Sequence, residues 1–344
     1  MAWLDELNTS TKIHIVPGVV DNVFKNDPLL AYLRANTLQR FPGGTKIQEN
    51  FTYGMLDGGP YAMGDSFDIT ARQTDTGGTF DPKLYKVNVT LFKEQIQIFN
   101  KGPEAVFRLV DSKMQNAALT MSAILAVDIY NEGISTAARA LRINGLAEAL
   151  NDGSANSWTG AAYTTYGGVT RGGTVGSALS SPMTGPTANV NGPITYKILE
   201  EGYNSVVIGS AHPNLMVTTN LGMSYIKEKF QPQWRVESQD PKTGFNSVVF
   251  NAARLIQSQY APGTKGSASD GPLSSYYVAG GETLWYLNTD YIRLWVTDDP
   301  EFGFGFSGFK PAQDNTMIAG QYFFAGNLTV QAPRLQRHLY GITG

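Results

Sequence analysis

The sequence has 344 residues, 42% of them hydrophobic and 16% charged, with 37 glycines, 17 prolines and a formal net charge of −3. It contains no cysteine, which excludes disulfides, thiolate zinc sites and cysteine nucleophiles. The charge balance lacks the basic excess of a nucleic-acid binder, and no apolar run approaches the span of a bilayer. A charged fraction below the usual quarter or so implies a surface covered in part by partners. The opening MAWLDELNTS carries acids and no basic stretch ahead of an apolar run, so it does not read as a signal peptide. The setting expected is cytoplasmic, and the Asn-x-Ser/Thr sequons at Asn8, Asn50, Asn88 and Asn327 then read as chance matches.

Residues 1–45 hold one short helical piece, DPLLAYLRANTLQ, between IVPGVV and FPGG, and read as an arm whose apolar residues need a neighbour, with an ordinary N-terminal lead-in as the alternative. Residues 46–100 read as two long strands, IQENFTYG and KLYKVNVTLFKEQIQIFN, around a middle rich in Gly, Asp and Thr. In the second strand Tyr85, Val87, Val89 and Leu91 alternate, then Phe92, Ile96 and Ile98 take over, which predicts a bulge or a change of partner. A lone two-stranded hairpin is marginal in water, so this one leans on its parent sheet or on something outside the domain.

The longest helical pattern follows, from Pro103 to about Asn131. Phe107, Val110, Met114, Ala117, Ala118, Met121, Ile124, Leu125 and Ile129 make one apolar stripe. Pro103 and Glu104 suit its first turn and Gly133 its stop. TAARALRINGLAEALNDG is a second helical stretch broken at Asn144–Gly145, and residues 151–192 have loop and short-strand composition. ITYKILEEGYN reads as a helix with Pro193 just inside its start, NLMVTTN as a short buried strand and GMSYIKEKF as another helix. GFNSVVFNAARLIQSQY, TLWYLNTDYIRLWV and MIAGQYFFAGNLTVQAPRLQRHLYGI are strand-rich. Helices and antiparallel-type strands mix without a βαβ rhythm, so the class is α+β.

No motif carries chemistry. There is no phosphate loop, and the Gly-x-Gly of FGFGFSGF (Phe302 to Phe309) lacks a strand–turn–helix setting. His14, His212 and His338 are isolated from one another and from acids at ligand spacing. Asp298, Asp299 and Glu301, and likewise Asp65 and Asp68, read as solvated turn residues beside Pro300 and Gly64. Nothing makes a positive case for an enzyme, and no cofactor or metal is expected.

The order and spacing of several stretches resemble the major capsid protein of tailed bacteriophages, the Hong Kong 97-type shell fold. These are GPEAVFRLVDSKMQNAALTMSAILAVDIYNEG, INGLAEAL, YGGVTRGG (Tyr166 to Gly173), NLMVTTNLGMSYIKEKF, GFNSVVFNAARLI, and the closing FGFSGFKPAQDNTMIAGQYFFAGNLTVQAPRLQRHLYGI. The resemblance implies an N-terminal arm over 1–45, an extended β-hairpin loop over 46–100, and a peripheral domain with a long spine helix over 101–145. It implies an axial domain over 146–300 and C-terminal strands returning to the peripheral domain over 301–344. It further implies a non-enzymatic subunit that self-assembles as hexamers and pentamers into an icosahedral shell around packaged double-stranded DNA. It implies assembly in the host cytoplasm without a membrane, scaffolding that is either a separate protein or absent, and portal and decoration proteins as further candidate partners. Subunit contacts are expected at Phe51, Tyr53, Met55, Tyr61, Met63, Phe67, Phe80, Tyr166 and Arg171, chosen by position in the resemblance and by apolar character. Expansion on packaging is expected to hinge at the ends of the 46–100 loop. Some relatives cross-link a loop lysine to an asparagine; Lys46, Lys83, Lys86, Lys93, Asn315 and Asn327 are too common as types to imply it. Two alternatives stand beside this reading: an encapsulin-type bacterial compartment, and a monomeric β-rich enzyme or binding protein.

Overall fold

A computed structural model describes residues 27–54, 56–67, 69–94, 103–131, 141–153, 163–171, 183–230, 236–237, 247–264, 281–311 and 316–344. The first element is helix α1, Pro28–Asn36, capped by Asp27, whose carboxylate accepts from Leu30 N at 3.0 Å. It buries Leu29, Leu30 and Leu33. Burial raises the Asp27 carboxyl to about 6, against the opposing pull of hydrogen bonds from Ser258 Oγ and the helix N–H groups.

Strand β1 (Leu38–Phe41) is followed by β2 (Ile47–Thr52), β3 (Asp75–Phe80) and β4 (Lys83–Phe92). The pairing differs from a hairpin between the two expected strands, IQENFTYG and KLYKVNVTLFKEQIQIFN. β2 pairs antiparallel with β3, which lies in the glycine-rich middle, and β4 joins a larger sheet elsewhere. Local alternation is the same whichever partner a strand takes, so only the distant partner decides. β4 ends at Phe92, where the apolar phase switches; Ile96 and Ile98 lie outside the described residues.

The long helix is α2, Pro103–Asp128, 26 residues and about 39 Å at 1.5 Å per residue. Ala117, Met121, Leu125 and Ile129 of its apolar stripe are buried, and Met114, Ala118 and Ile124 are half-buried. It packs on β4 and α1. Gly133 lies outside the described residues. The break at Asn144–Gly145 has a steric cause. A Cβ on Gly145 would stand 2.2–2.6 Å from the carbonyl oxygens of Asn131, Asp128 and Ile129 at the end of α2. There Leu146 N donates to Ile129 O at 2.6 Å, opening the single turn α3, Leu146–Ala149.

The hairpin β5 (Thr165–Tyr166) and β6 (Val169–Thr170) precedes β7 (Thr187–Pro193) and helix α4, Tyr196–Asn204. Pro193 closes β7 instead of opening the helix, because Thr195 caps it by accepting from Ile198 N. β8 (Leu215–Thr218), helix α5 (Asn220–Phe230), β9 (Val236–Glu237), β10 (Ser247–Phe250) and β11 (Ala253–Gln257) follow. The chain closes with β12 (Glu282–Leu287), β13 (Ile292–Thr297), β14 (Gly303–Phe306), β15 (Lys310–Pro311), β16 (Met317–Val330) and β17 (Arg337–Thr343).

Two sheets organise these strands. In one of six, the 14-residue β16 pairs with β13, β14, β15 and β4, and β1 pairs parallel to β13 at the edge. In one of seven, the order is β7-β17-β12-β8-β11-β10-β9. The segment after residue 300 therefore feeds both sheets, and β13 lies with β16. The seven-stranded sheet is covered on both faces. Leu215, Val217, Trp285 and Leu287 enter the core shared with the other sheet, whereas Met216, Leu284 and Tyr286 enter a second core with Leu199, Met223 and Ile226 of α4 and α5. Double-sided burial explains why β8 and β12 read as unbroken apolar runs.

Two of the chain's three crossings between the sheets run through one-turn 3-10 helices, at Thr289–Tyr291 and Pro333–Leu335. The crossovers bond to each other. Asn288 N donates to Gln336 Oε1 (2.6 Å), Gln336 Nε2 to Asn288 O (2.9 Å), and Gln331 N to Tyr291 O (2.8 Å).

His338 of β17 is fully buried, stacked on Trp285 with centroids 3.9 Å apart, and burial pushes its imidazole down to about 3. The folded chain keeps it neutral while the unfolded chain takes up a proton near 6.5. Its contribution is therefore complete above 6.5 and lost as pH falls from 6.5 towards 3, by about 1.4 kcal/mol per unit. Asp27 acts in the opposite sense, gaining stability as pH falls through 6. The comparison is therefore between the parent and His338→Phe. Urea unfolding of soluble subunits at pH 7, 5.5 and 4.5 is expected to show the variant losing less stability on acidification, by up to one proton's slope.

Candidate assembly surface: the extended loop and its root

β2 and β3 form a ribbon of their own, with Ile47, Glu49, Phe51 and Phe80 facing inwards. Ile47, Phe51 and Phe80 join the main core. Glu49, 4% exposed, faces the six-stranded sheet. Trp295 Nε1 and Thr329 Oγ1 each donate to its Oε1 at 2.8 Å, and Gln331 Nε2 donates to Oε2 at 2.7 Å. A buried carboxylate is tolerated only with such donors, and these come from β13 and the end of β16. The β5–β6 turn supports the other side: Thr79 N donates to Gly167 O at 2.9 Å. Gly167 has φ +58°, and a Cβ there would meet the Phe80 ring at 2.7 Å, so both backbone and space require glycine.

Behind this turn, Tyr166 is fully buried, edge-on to Phe80 at 5.0 Å, and its hydroxyl accepts from Val330 N at 2.8 Å. The Arg171 guanidinium lies 5.2 Å from its ring centre. Arg171 Nη1 donates to the carbonyls of Ala149 (3.1 Å), Asn151 (2.7 Å) and Met183 (2.7 Å), and Nη2 donates to Glu148 O. Burial lowers its pKa to about 10, which leaves it charged at neutral pH. One cation thus satisfies the carbonyls ending α3 and ties them to the chain before β7.

The ribbon ends at the Thr52–Asp75 pair, and Tyr53 N and Gly54 N both donate to Thr74 O (2.8 and 3.2 Å). Beyond this neck the described residues form no strand or helix. Leu56, Tyr61, Met63, Phe67 and Ile69 are 67–104% exposed. Local contacts shape the tip: Tyr61 and Phe67 meet edge-to-face at 5.2 Å, Ala62 N donates to Asp65 at 2.6 Å, and Arg72 pairs with Asp57 at 3.5 Å. Five large apolar side chains in water on one loop make a candidate interaction surface.

Solved structures share this architecture over nearly the whole chain. The capsid asymmetric unit of cyanophage A-1(L) aligns with TM-score 0.65 and 12% identity, over 97% of this chain and 98% of that one. The Hong Kong 97-type capsid fold is therefore the fold of this chain. The capsid of a native GTA particle aligns at 0.61 with 6% identity, covering 97% of this chain and 96% of that one. The SrpI encapsulin complex from Synechococcus elongatus PCC 7942 aligns at 0.57 with 10% identity, covering 98% and 95%. No protein-family model matches the sequence, and no curated protein matches it.

Within this capsid fold the expected contact residues separate into two groups. Phe51, Phe80, Tyr166 and Arg171 are at most 6% exposed and belong chiefly to the subunit's own interior, with Phe51 also reaching the wall of an open cavity. Tyr61, Met63 and Phe67 stand exposed at the tip, Tyr53 is half-buried at the neck, and Met55 lies outside the described residues. Sequence reading passed over Leu56 and Ile69, single apolar residues in a polar loop, and Glu49. The signal for Glu49 was present: one acid on the inward phase of an alternating strand.

The residues weighed for chemistry stay apart. Asp299 bonds the turn amides of Glu301 (2.8 Å) and Phe302 (3.1 Å), and Asp298 pairs with Arg40 at 3.2 Å. His212 contacts Pro213 O at 3.3 Å, and His14 and Asp68 lie outside the described residues. Among the described residues no group of three or more potential ligands could hold a metal, and no helix is long and apolar enough to cross a membrane. Asn327 is buried, its amide donating to Asp81 O at 2.8 Å and Asn144 Oδ1 at 2.7 Å.

Removing the root carboxylate takes away the acceptor shared by Trp295, Thr329 and Gln331 and leaves Trp295 Nε1 only its bond to Thr329 Oγ1. Glu49→Ala is expected to cost about 3 kcal/mol in urea unfolding, with faster amide exchange across Ile47–Thr52. Tyr61→Ser at the exposed tip is expected to change stability by less than about 0.5 kcal/mol.

Proposed function

We propose that this chain is the major shell subunit of a tailed-phage capsid, assembling as hexamers and pentamers into an icosahedral container for double-stranded DNA. The observation that carries this reading is the apolar tip on a braced root. A single subunit leaves Leu56, Tyr61, Met63, Phe67 and Ile69 in water while spending a buried carboxylate and an aromatic cluster on holding their base. That arrangement suits a loop whose apolar surface is covered by a neighbouring copy. The full-length likeness to the cyanophage A-1(L) capsid subunit supports the same reading. The role is structural, in the virion, with assembly in the host cytoplasm. DNA is enclosed by a near-neutral chain without sequence-specific contact, with scaffolding, portal and decoration proteins as candidate partners. The chain divides into the arm, loop, peripheral and axial parts given by the resemblance, with β13 assigned to the peripheral part.

A second reading has its own support, because an encapsulin matches the fold over 98% of this chain. Electron microscopy of particles made with and without neighbouring genes separates the two. Filled shells whose content is destroyed by nuclease after opening support a capsid, and shells loaded with a protein cargo support a compartment. A species that sediments as a 37 kDa monomer under every salt and scaffold condition removes both.

Expansion of such a shell is assigned to bending at the loop neck. The ladder up to Thr52–Asp75 and the Glu49 bonds fix the root to the six-stranded sheet, so movement begins at Tyr53 and Thr74. Cryo-electron microscopy of precursor and mature particles is expected to show Ile47–Thr52 unchanged against β16 while the tip rotates. A root that swings with the tip overturns the assignment.

A further inference from the structure

Two features left open on one subunit complement each other. The first is the tip, with its edge-to-face pair of Tyr61 and Phe67. The second is an open cavity of about 500 Å³ beside the loop root, walled by Phe51, Ile208, Ala211, Tyr291, Ala332 and Arg334. The volume lies within the range of about 300–1,000 Å³ in which proteins seat small ligands, enough for two aromatic side chains. Residues 55–74 carry Asp57, Asp65 and Asp68 against Arg72, a net charge of −2. The cavity offers Arg334, and no carboxylate lines it. Tip and cavity are both exposed in the same chain, so the subunit does not fill its own cavity with its own tip.

We propose that the cavity receives the Tyr61–Phe67 pair of a second copy of this chain. The inference rests on the shell reading and names the receiving site for the loop. A knob and a hole on different patches of one molecule make a head-to-tail contact, and that geometry closes into rings when the rotation permits. Burying the two rings supplies hydrophobic drive, and the acidic tip beside Arg334 sets its orientation.

The chain has no cysteine, so an introduced pair reports the contact without background. Met63→Cys with Ala332→Cys, assembled and mildly oxidised, is expected to give a disulfide ladder reaching five and six subunits that reduction collapses. Monomer bands alone, or a fast-migrating intrachain disulfide, overturn the proposal. Ala211→Trp, which fills the cavity, is expected to leave folded subunits with unchanged circular dichroism and at least 10-fold fewer particles. Mixed with the Tyr61→Ser/Phe67→Ser variant, it is expected to form heterodimers and nothing larger, since one intact tip then meets one open cavity. Should Ala211→Trp assemble like the parent, the cavity assignment fails and the shell reading stands. Should the parent itself remain monomeric, the shell reading fails and the inference with it.

Discussion

The projecting loop depends on one buried carboxylate. A two-stranded ribbon six residues long has too few ladder bonds and too little apolar area to hold an orientation alone. Glu49 supplies what is missing. Its two oxygens take bonds from Trp295, Thr329 and Gln331, and these donors belong to strands that meet the ribbon only in the folded chain. Phe51 and Phe80 complete the attachment on the apolar side, and Tyr166 braces Phe80. The ribbon is thus an outgrowth of the core up to Thr52, and only what lies beyond the neck is free to answer to another molecule.

A similar economy governs the buried cation. Arg171 stands among four carbonyls from two chain segments, a place where a neutral side chain leaves several acceptors unmet. Neither Glu49 nor Arg171, both at the ribbon's base, faces solvent. Both are charges retained for position, fixing strand ends that hydrophobic contact alone leaves free to slide.

Much of the fold was legible in the sequence. The long helix, the alternation of Tyr85 to Leu91, the unbroken apolar run of β8 and the α+β class all follow from local periodicity, which the structure reproduces. What escaped was non-local. Four of the six residues of β3 are glycine or threonine, so its pairing with β2 rests on backbone bonds that composition does not advertise. β4 keeps the same inward face whether its partner is β2 or β16. Phe51, Phe80 and Tyr166 were recognisable as apolar residues needing cover, but periodicity identifies a covered face without saying which body covers it. Arg171 sits in a polar, glycine-rich stretch, and only the arrival of Met183 and the α3 carbonyls turns its surroundings into an interior.

The paired crossovers between the sheets carry a mechanical consequence. A body with two halves joined by one strand bends like a strap, because a single tether resists tension but not twist. Here two of the connecting segments run side by side and are riveted by Gln336 and Asn288, so a torque on one sheet is shared between them. To shear the halves apart, both must stretch at once and the rivet must break. Stiffness of that kind makes the subunit a tile more than a chain of beads, and any load on a wall built from such tiles falls first on the seams between them.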